Sequence, residues 1–207
     1  MRGLKRALDR VAAALLLLLL SPLLAGIALW IVLDGGRPAV LAQDRAGKHG
    51  KPFRMLKYRT MVQDALELAP KLTEDPYGVV ENDPRITRPG RLLRRTGLDE
   101  LPQLWNVLRG EMSLVGPRPD ILEQAANYTD HDRRRLTVEP GITGWSQVNG
   151  RESIGWPERI EQDLWYIDHW SPALDLKILW RTFRELGRSA EKPVVDTMNI
   201  ERARARK

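Results

Sequence analysis

Residues 11–33 read VAAALLLLLLSPLLAGIALWIVL, an apolar run interrupted only by Ser21-Pro22. How this run sits decides the fold. A secretory signal peptide fits poorly, because the apolar pattern continues through Ile27–Leu33 past any small-residue cleavage site. As one helix the run would reach about 35 Å, enough to cross a hydrocarbon core of about 30 Å. As a re-entrant hairpin broken at Ser21-Pro22, each arm would reach about 15–18 Å and enter one leaflet only. The break has a physical cause. Pro22 has no N–H for the Leu18 carbonyl and its ring crowds that turn. The Ser21 hydroxyl is expected to bond back to the Leu17 carbonyl and promote the bend.

Charge on the flanks bears on the choice. Arg2, Lys5, Arg6 and Arg10 precede the run, and Arg37, Arg45, Lys48, Lys51 and Arg54 follow it. Basic residues on both sides conflict with a single crossing under the positive-inside rule and agree with two ends on the cytoplasmic face. Prolines also kink true spans, so a kinked span stays open on this ground alone. The whole chain of 207 residues has 33 Lys+Arg against 27 Asp+Glu, a net charge of +6. That balance suits phosphates, nucleotides or an acidic membrane surface. No zinc-finger or RNA-binding motif is present, so nucleic acid is not an expected partner. With no cysteine there is neither a disulfide framework nor a thiolate metal site. His49, His131 and His169 are far apart and form no ligand pattern.

Beyond the run, Asp34–Pro38 is a turn cluster. A strand over Pro38–Gln43, a Gly-containing turn over Ala46–Lys51 and a return strand over Phe53–Tyr58 make a small β-hairpin. Lys57 and Arg59 at its end are candidate phosphate ligands, or else a solvated strand face. Met61–Leu72 has a helical pattern that Pro70 bends or ends, and residues 73–90 are loop-rich. Asp120–Arg135 reads as a charged helix, Ser146–Asn149 as a short strand, and Gly150-Arg151 as a place to close over a ligand. Pro157–His169 is an amphipathic helix with Ile160, Leu164 and Ile167 on one face, stopped at Ser171-Pro172. Leu176, Leu179, Trp180 and Phe183 then repeat at helical spacing. With Trp165, Tyr166, Trp170, Lys177, Arg181 and Arg184 they suit a helix at a membrane interface, with about half of the aromatics in the core.

The chemistry concentrates in Arg91–Pro119, RLLRRTGLDELPQLWNVLRGEMSLVGPRP. Asp99 and Glu100 are adjacent, among Arg91, Arg94, Arg95, Arg109 and Arg118. Arginine holds anionic oxygens in bidentate fashion. A carboxylate can attack a phosphoryl group or hold the Mg2+ that neutralises phosphates. The competing reading is structural: Asp99 and Glu100, with Pro102, would open a helix carrying Leu101, Leu104, Trp105 and Leu108. The two are compatible, because a helix N-terminus is also an anion site. Pro117 and Pro119 fix the backbone around Arg118, which suits a pre-positioned cation.

Several segments together resemble the bacterial sugar transferases, the monotopic phosphoglycosyl transferases. They are Lys57–Met61, Asn82–Thr87, Leu98–Leu104, Met112–Pro119 and Pro140–Trp145. The resemblance implies transfer of a sugar 1-phosphate from a UDP-sugar to undecaprenyl (polyprenol) phosphate with release of UMP. It implies dependence on Mg2+ and a re-entrant membrane helix broken at Ser21-Pro22. Asp99 then resembles the nucleophile that forms an aspartyl phosphosugar, and Glu100 its partner in metal or proton handling. Arg94 and Arg118 resemble phosphate-binding arginines, and Lys57 a basic residue near them.

The expected fold is α+β and mostly helical. Residues 1–36 form the re-entrant membrane helix, 37–187 a cytosolic membrane-associated catalytic domain with a small β-hairpin and interfacial helices, and 188–207 a basic, loosely ordered tail. The expected location is the cytoplasmic face of a bacterial inner membrane, in contact with its lipid. Two other functions compete: a membrane-anchored scaffold without chemistry, and a phosphatase acting on lipid diphosphates.

Overall fold

The computed structural model describes residues 2–68, 83–150 and 154–185. The expectations for Pro70, Arg151 and the 188–207 tail lie outside them. The chain is mostly helical with two small sheets, an α+β arrangement. It opens with α1 (Arg2–Leu19) and α2 (Ser21–Gly35), bent by 64° at the Ser-Pro step. Ser21 Oγ donates to the Leu18 carbonyl at 2.8 Å, not to Leu17 as expected. Leu18 is the carbonyl that Pro22, four residues on, leaves without a donor, so serine and proline are complementary parts of one break. Among the described residues no single helix is long and apolar enough to cross a membrane, whereas the bent pair together is.

The bent pair is built into the rest of the molecule. Ala13 of α1 is fully buried with Phe53, Met55, Leu104, Val107 and Met112, and Leu17 and Leu20 cover that cluster. Ile27 and Ile31 of α2 pack with Tyr58 and Leu93. The remaining circumference is leucine-rich and exposed, as at Leu8, Leu15, Leu18, Leu19, Leu29 and Leu33. The basic flank is paired within the protein: Arg2 donates to the Ile167 carbonyl at 3.1 Å, and Lys5 meets Asp175 at 2.7 Å. Arg6 and Lys48, one from each side of the helix pair, share Glu139 at 3.2 and 3.1 Å. Both ends of the pair are therefore fixed to one body.

Strands β1 (Val40–Ala46) and β2 (Pro52–Tyr58) pair antiparallel from Val40↔Tyr58 to Ala46↔Pro52. Phe53 and Met55 bury one face of β2, and Lys57 follows at the same period of two. Of the expected Met61–Leu72 helix, described as far as Leu68, α3 (Ala65–Leu68) is helical, and Met61 forms a bridge with Ile86 instead. Next come α4 (Arg88–Thr96), opened by Thr87 Oγ1 accepting from Gly90 N–H, and α5 (Gln103–Arg109), closed by Gly110 at φ +79°.

Strands β3 (Ser113–Val115) and β4 (Gly141–Thr143) pair in parallel. A Cβ on Gly141 would lie 2.1 Å from the Gly116 nitrogen, so this close approach of two backbones needs glycine. The expected helix over Asp120–Arg135 is two short ones, α6 (Leu122–Ala126) and α7 (Asp130–Arg133). The chain breaks between them because Thr129 and Asp132 form a capping box that starts a new helix and turns Tyr128 inward. The expected strand at Ser146–Asn149 is helix α8 (Trp145–Asn149). Trp145 and Val148, three residues apart, both face the same core cluster, which helical spacing achieves and strand spacing does not.

Helix α9 (Trp156–Asp168) and helix α10 (Pro172–Glu185) complete the second core, where Val115, Ile160, Leu164, Tyr166, Ile167 and Ile178 are buried. Trp165 stacks between Trp145 and His169 at 4.8 and 4.5 Å. Leu176, Trp180 and Phe183 of α10 are exposed opposite buried Ile178, an amphipathic helix of the kind the spacing indicates.

Candidate active site

Helix α4 stops at Gly97, whose φ of +70° ends it in the left-handed conformation. Leu98–Glu100 then form a single 3₁₀ turn, and α5 begins after Pro102 with no side-chain cap. Asp99 and Glu100 therefore stand in the first turn of this 3₁₀ helix, between α4 and α5, and neither side chain caps α5. Their neighbours anchor the turn: Leu98 and Leu101 pack on Ile27, Ile31 and Leu93, and Leu101 also on the cluster around Ala13. The bent helix pair thus supports the acidic turn directly.

Three elements bring cations to it. Lys57, at the end of β2, places Nζ 3.4 Å from Glu100 Oε1, and Arg118 Nη2 lies 2.8 Å from the same oxygen. Arg94, in the last turn of α4, is oriented by Thr60 Oγ1, which accepts from its Nε at 2.8 Å. Glu100 is thus tied by two cations, whereas no hydrogen bond or ion pair holds Asp99 among the described residues. Burial and the Glu100 charge push the Asp99 carboxyl above the ordinary range, against the opposite pull of Lys57, Arg118 and Arg94. Burial and Arg118 push Lys57 down, opposed by Glu100 and Asp99.

Not every candidate joins this group. The Arg59 guanidinium is buried and donates to the Gly36 carbonyl at the end of α2, and its Nε and Nη1 have no hydrogen-bond partner among the described residues. Arg109 lies over Trp105 at 5.7 Å, and Arg91 and Arg95 are exposed on α4. Ser21 and Pro22 sit at the bend of the helix pair. A surface hollow of about 700 Å³ lies at Trp145, Trp165 and His169 and is lined by none of these groups.

Asn106 was not legible as part of the site. It is fully buried on α5 and acts as a strand partner for β2: Oδ1 accepts from Leu56 N–H at 3.0 Å and Nδ2 donates to the Arg54 carbonyl at 2.8 Å. That clasp fixes β2 one residue before Lys57. The available signal was an asparagine among Leu104, Val107 and Leu108, a polar side chain on an apolar helix that must find partners.

Beside Arg94, Arg85 Nε donates to both Asp83 oxygens at 2.9 and 3.1 Å, and its Nη2 adds a bond of 2.8 Å. These bonds from Arg85 hold the Asp83 carboxyl below its ordinary 3.8. A depressed acid stabilises the fold above its unfolded pKa and loses that contribution as pH falls through the folded one. Asp83→Asn is expected to cost about 3–5 kcal/mol at neutral pH, read by thermal unfolding, because it strands a buried guanidinium. The gap between variant and native protein should narrow below about pH 4; a gap constant with pH would sink this account.

The acidic turn thus lies among Lys57, Arg94 and Arg118 and rests on the bent helix pair. The chain belongs to the bacterial sugar transferase family, which matches residues 1–189. It is accordingly a transferase. It is 43% identical over 183 residues to the "Uncharacterized sugar transferase EpsL" of Bacillus subtilis, covering 88% of this chain and 87% of that one. It is 43% identical to the "Undecaprenyl-phosphate galactose phosphotransferase" of Salmonella typhimurium, covering 87% of this chain and 40% of the relative. Against the "UDP-glucose:undecaprenyl-phosphate glucose-1-phosphate transferase" of Escherichia coli, identity is 44%, with 87% and 39% covered. The chain thus spans well under half the length of those last two proteins.

Proposed function

We propose that the protein transfers a sugar 1-phosphate from a UDP-sugar to undecaprenyl phosphate at the cytoplasmic face of a bacterial inner membrane. It would thereby start a glycoconjugate such as an exopolysaccharide, capsule, O-antigen or glycoprotein glycan. The observation that carries this reading is the asymmetry of the acidic pair, Glu100 tied by Lys57 and Arg118 and Asp99 held by no bond among the described residues. An Asp99 oxygen attacks the sugar-bearing phosphorus. The bond from that phosphorus to the bridging oxygen breaks, and UMP leaves with the oxygen. A phosphate oxygen of the lipid then attacks the same phosphorus and frees the Asp99 carboxylate. Covalent catalysis lets a soluble donor and a lipid acceptor use one site in turn. Arg118, Arg94 and Lys57 hold the phosphate oxygens throughout.

The donor set also fits Mg2+. Among the described residues no group of three or more acidic, histidine or cysteine side chains forms a protein cage. Mg2+ commonly takes only one or two carboxylates and completes its shell with substrate phosphates and water. Asp99 and Glu100 would supply those carboxylates, and the ion would neutralise diphosphate charge.

The test is UMP release from a panel of UDP-sugars with undecaprenyl phosphate. UDP-glucose and UDP-galactose come first, given what the relatives' names say of them. Release of inorganic phosphate from a lipid diphosphate would instead favour a phosphatase, and no release of either would favour a scaffold.

The helix pair would enter the inner leaflet and return, since Arg6 and Lys48 meet on one Glu139. The chain has no cysteine, so single-cysteine labelling is clean. Gly3→Cys, at a position with open space around its Cβ, and Lys51→Cys should both resist an impermeant thiol reagent in intact cells. Both should react in inverted vesicles. Labelling of position 3 from outside the cell would mean a crossing.

A further inference from the structure

A cluster of buried charge that the reaction scheme leaves unused lies behind the Arg118 loop. Arg135, with its side chain 4% exposed, is held between Asp120 and Asp163, the latter 1% exposed. Its Nη1 donates to Asp120 Oδ2 and, at 2.7 Å, to the Tyr128 hydroxyl. Its Nη2 donates to Asp163 Oδ2 at 2.6 Å and to the Arg118 carbonyl at 3.2 Å. Ser146 Oγ steadies the far oxygen of Asp163 at 2.7 Å, and the guanidinium lies over the Trp156 ring at 5.3 Å.

Burying such a group is a poor route to stability, since desolvation of the charges offsets much of their attraction. Its geometry suggests another use. Residues 117–121 have no regular secondary structure, and Pro117 and Pro119 have no N–H. The loop is held instead through its carbonyls: Pro117 O accepts from Gly141 N–H at 2.8 Å, and Asp120 O from Ala46 N–H at 2.9 Å. Between these two backbone anchors, the Arg118 carbonyl is held by the Arg135 side chain. That carbonyl belongs to the residue whose guanidinium reaches Glu100. Loss of Arg135 would leave the Arg118 carbonyl, Asp120 and Asp163 without their common donor, so this segment would resettle between its two anchors and carry the Arg118 side chain with it.

We propose that Arg135, clamped by Asp120 and Asp163, is a positioning residue that sets the Arg118 guanidinium on the acidic turn. This rests on the reading of Asp99–Glu100 as the reacting pair.

The experiment is a double-mutant cycle on the full chain in lipid, reading kcat for UMP release and the unfolding midpoint. Arg135→Lys keeps the charge, but one ammonium cannot span Asp120, Asp163 and the Arg118 carbonyl together. It should lower kcat by about ten- to a hundredfold, the scale of a misplacement of about 1 Å. In an Arg118→Ala background the same change should cost no more than about twofold, because the group it positions is gone. A merely structural role would multiply the two losses. Tyr128→Phe, which removes one hydroxyl from the clamp at constant shape, gives the same cycle if Arg135→Lys does not fold. Its loss should be smaller and should likewise vanish in the Arg118→Ala background. Multiplicative losses, or native kcat in Arg135→Lys, overturn the proposal. Wild-type protein that releases no UMP would instead overturn the transferase reading, so the two failures are distinct.

Discussion

Asp99→Asn should abolish UMP release, a loss of at least about four orders of magnitude, as is usual when a nucleophile is removed. The substitution keeps size and shape on a 3₁₀ turn whose anchors are Leu98 and Leu101, so the fold should survive. An amide has no anionic oxygen to form the acyl phosphate. A carboxylate is a weak nucleophile in water, and burial beside Glu100 makes Asp99 harder to ionise. Lys57, Arg118 and Arg94 oppose that effect and favour the anion. These cations are also the groups that draw charge from the phosphate under attack. The direct measurement mixes protein with UDP-sugar radiolabelled in the sugar and omits the lipid. Label should remain on the protein after denaturation and map to the peptide carrying Asp99. If no label is retained while the complete mixture turns over normally, a single displacement is correct and Asp99 is a metal ligand only. Glu100→Gln should also lower the rate, because it removes the negative charge that gathers Lys57 and Arg118.

The parts of this arrangement that were legible in the sequence are those with a local cause. The Ser21-Pro22 break follows from a missing N–H, and the end of α5 from Gly110 at positive φ. The β-hairpin follows from alternation around a Gly-containing turn. Those that were not legible depend on partners distant in sequence. Lys5 meets Asp175, and Asn106 reads β2 from across the core. The basic flank of the helix pair bore in the sequence only on which side its ends lie, and its pairing with Ile167, Asp175 and Glu139 has no local signature. Proximity in sequence also misled. Five arginines surround Asp99-Glu100 in the chain, yet only Arg94 and Arg118 act on the pair. The helix turns Arg91 and Arg95 outward, and Arg109 settles on Trp105. Lys57 and Arg59, two residues apart, also part ways, one to Glu100 and the other to the end of α2.

Arg118→Ala and Arg94→Ala should each reduce turnover by about 30- to 1,000-fold, or about 2–4 kcal/mol, the range for loss of one preorganised donor to developing charge. Neither should unfold the protein. Arg118 is 40% exposed at its side chain and Arg94 lies exposed on α4, so no guanidinium is removed from a buried clasp. The two losses should differ in kind. Arg118 shares Glu100 with Lys57, so its removal leaves the acidic turn with a weaker neutralising charge in free enzyme and transition state alike. A rise in KM should therefore accompany the fall in kcat. Arg94 is oriented through Thr60 and its charge acts on Asp99, so its loss should fall mainly on kcat. Thr60→Val, which removes the orienting oxygen at constant shape, should reproduce a part of the Arg94→Ala defect. Arg118→Lys should recover little, because a point charge on a flexible stem does not reproduce the planar fork. Near-normal rates in both alanine variants would make these arginines ordinary surface residues and move the phosphate site elsewhere.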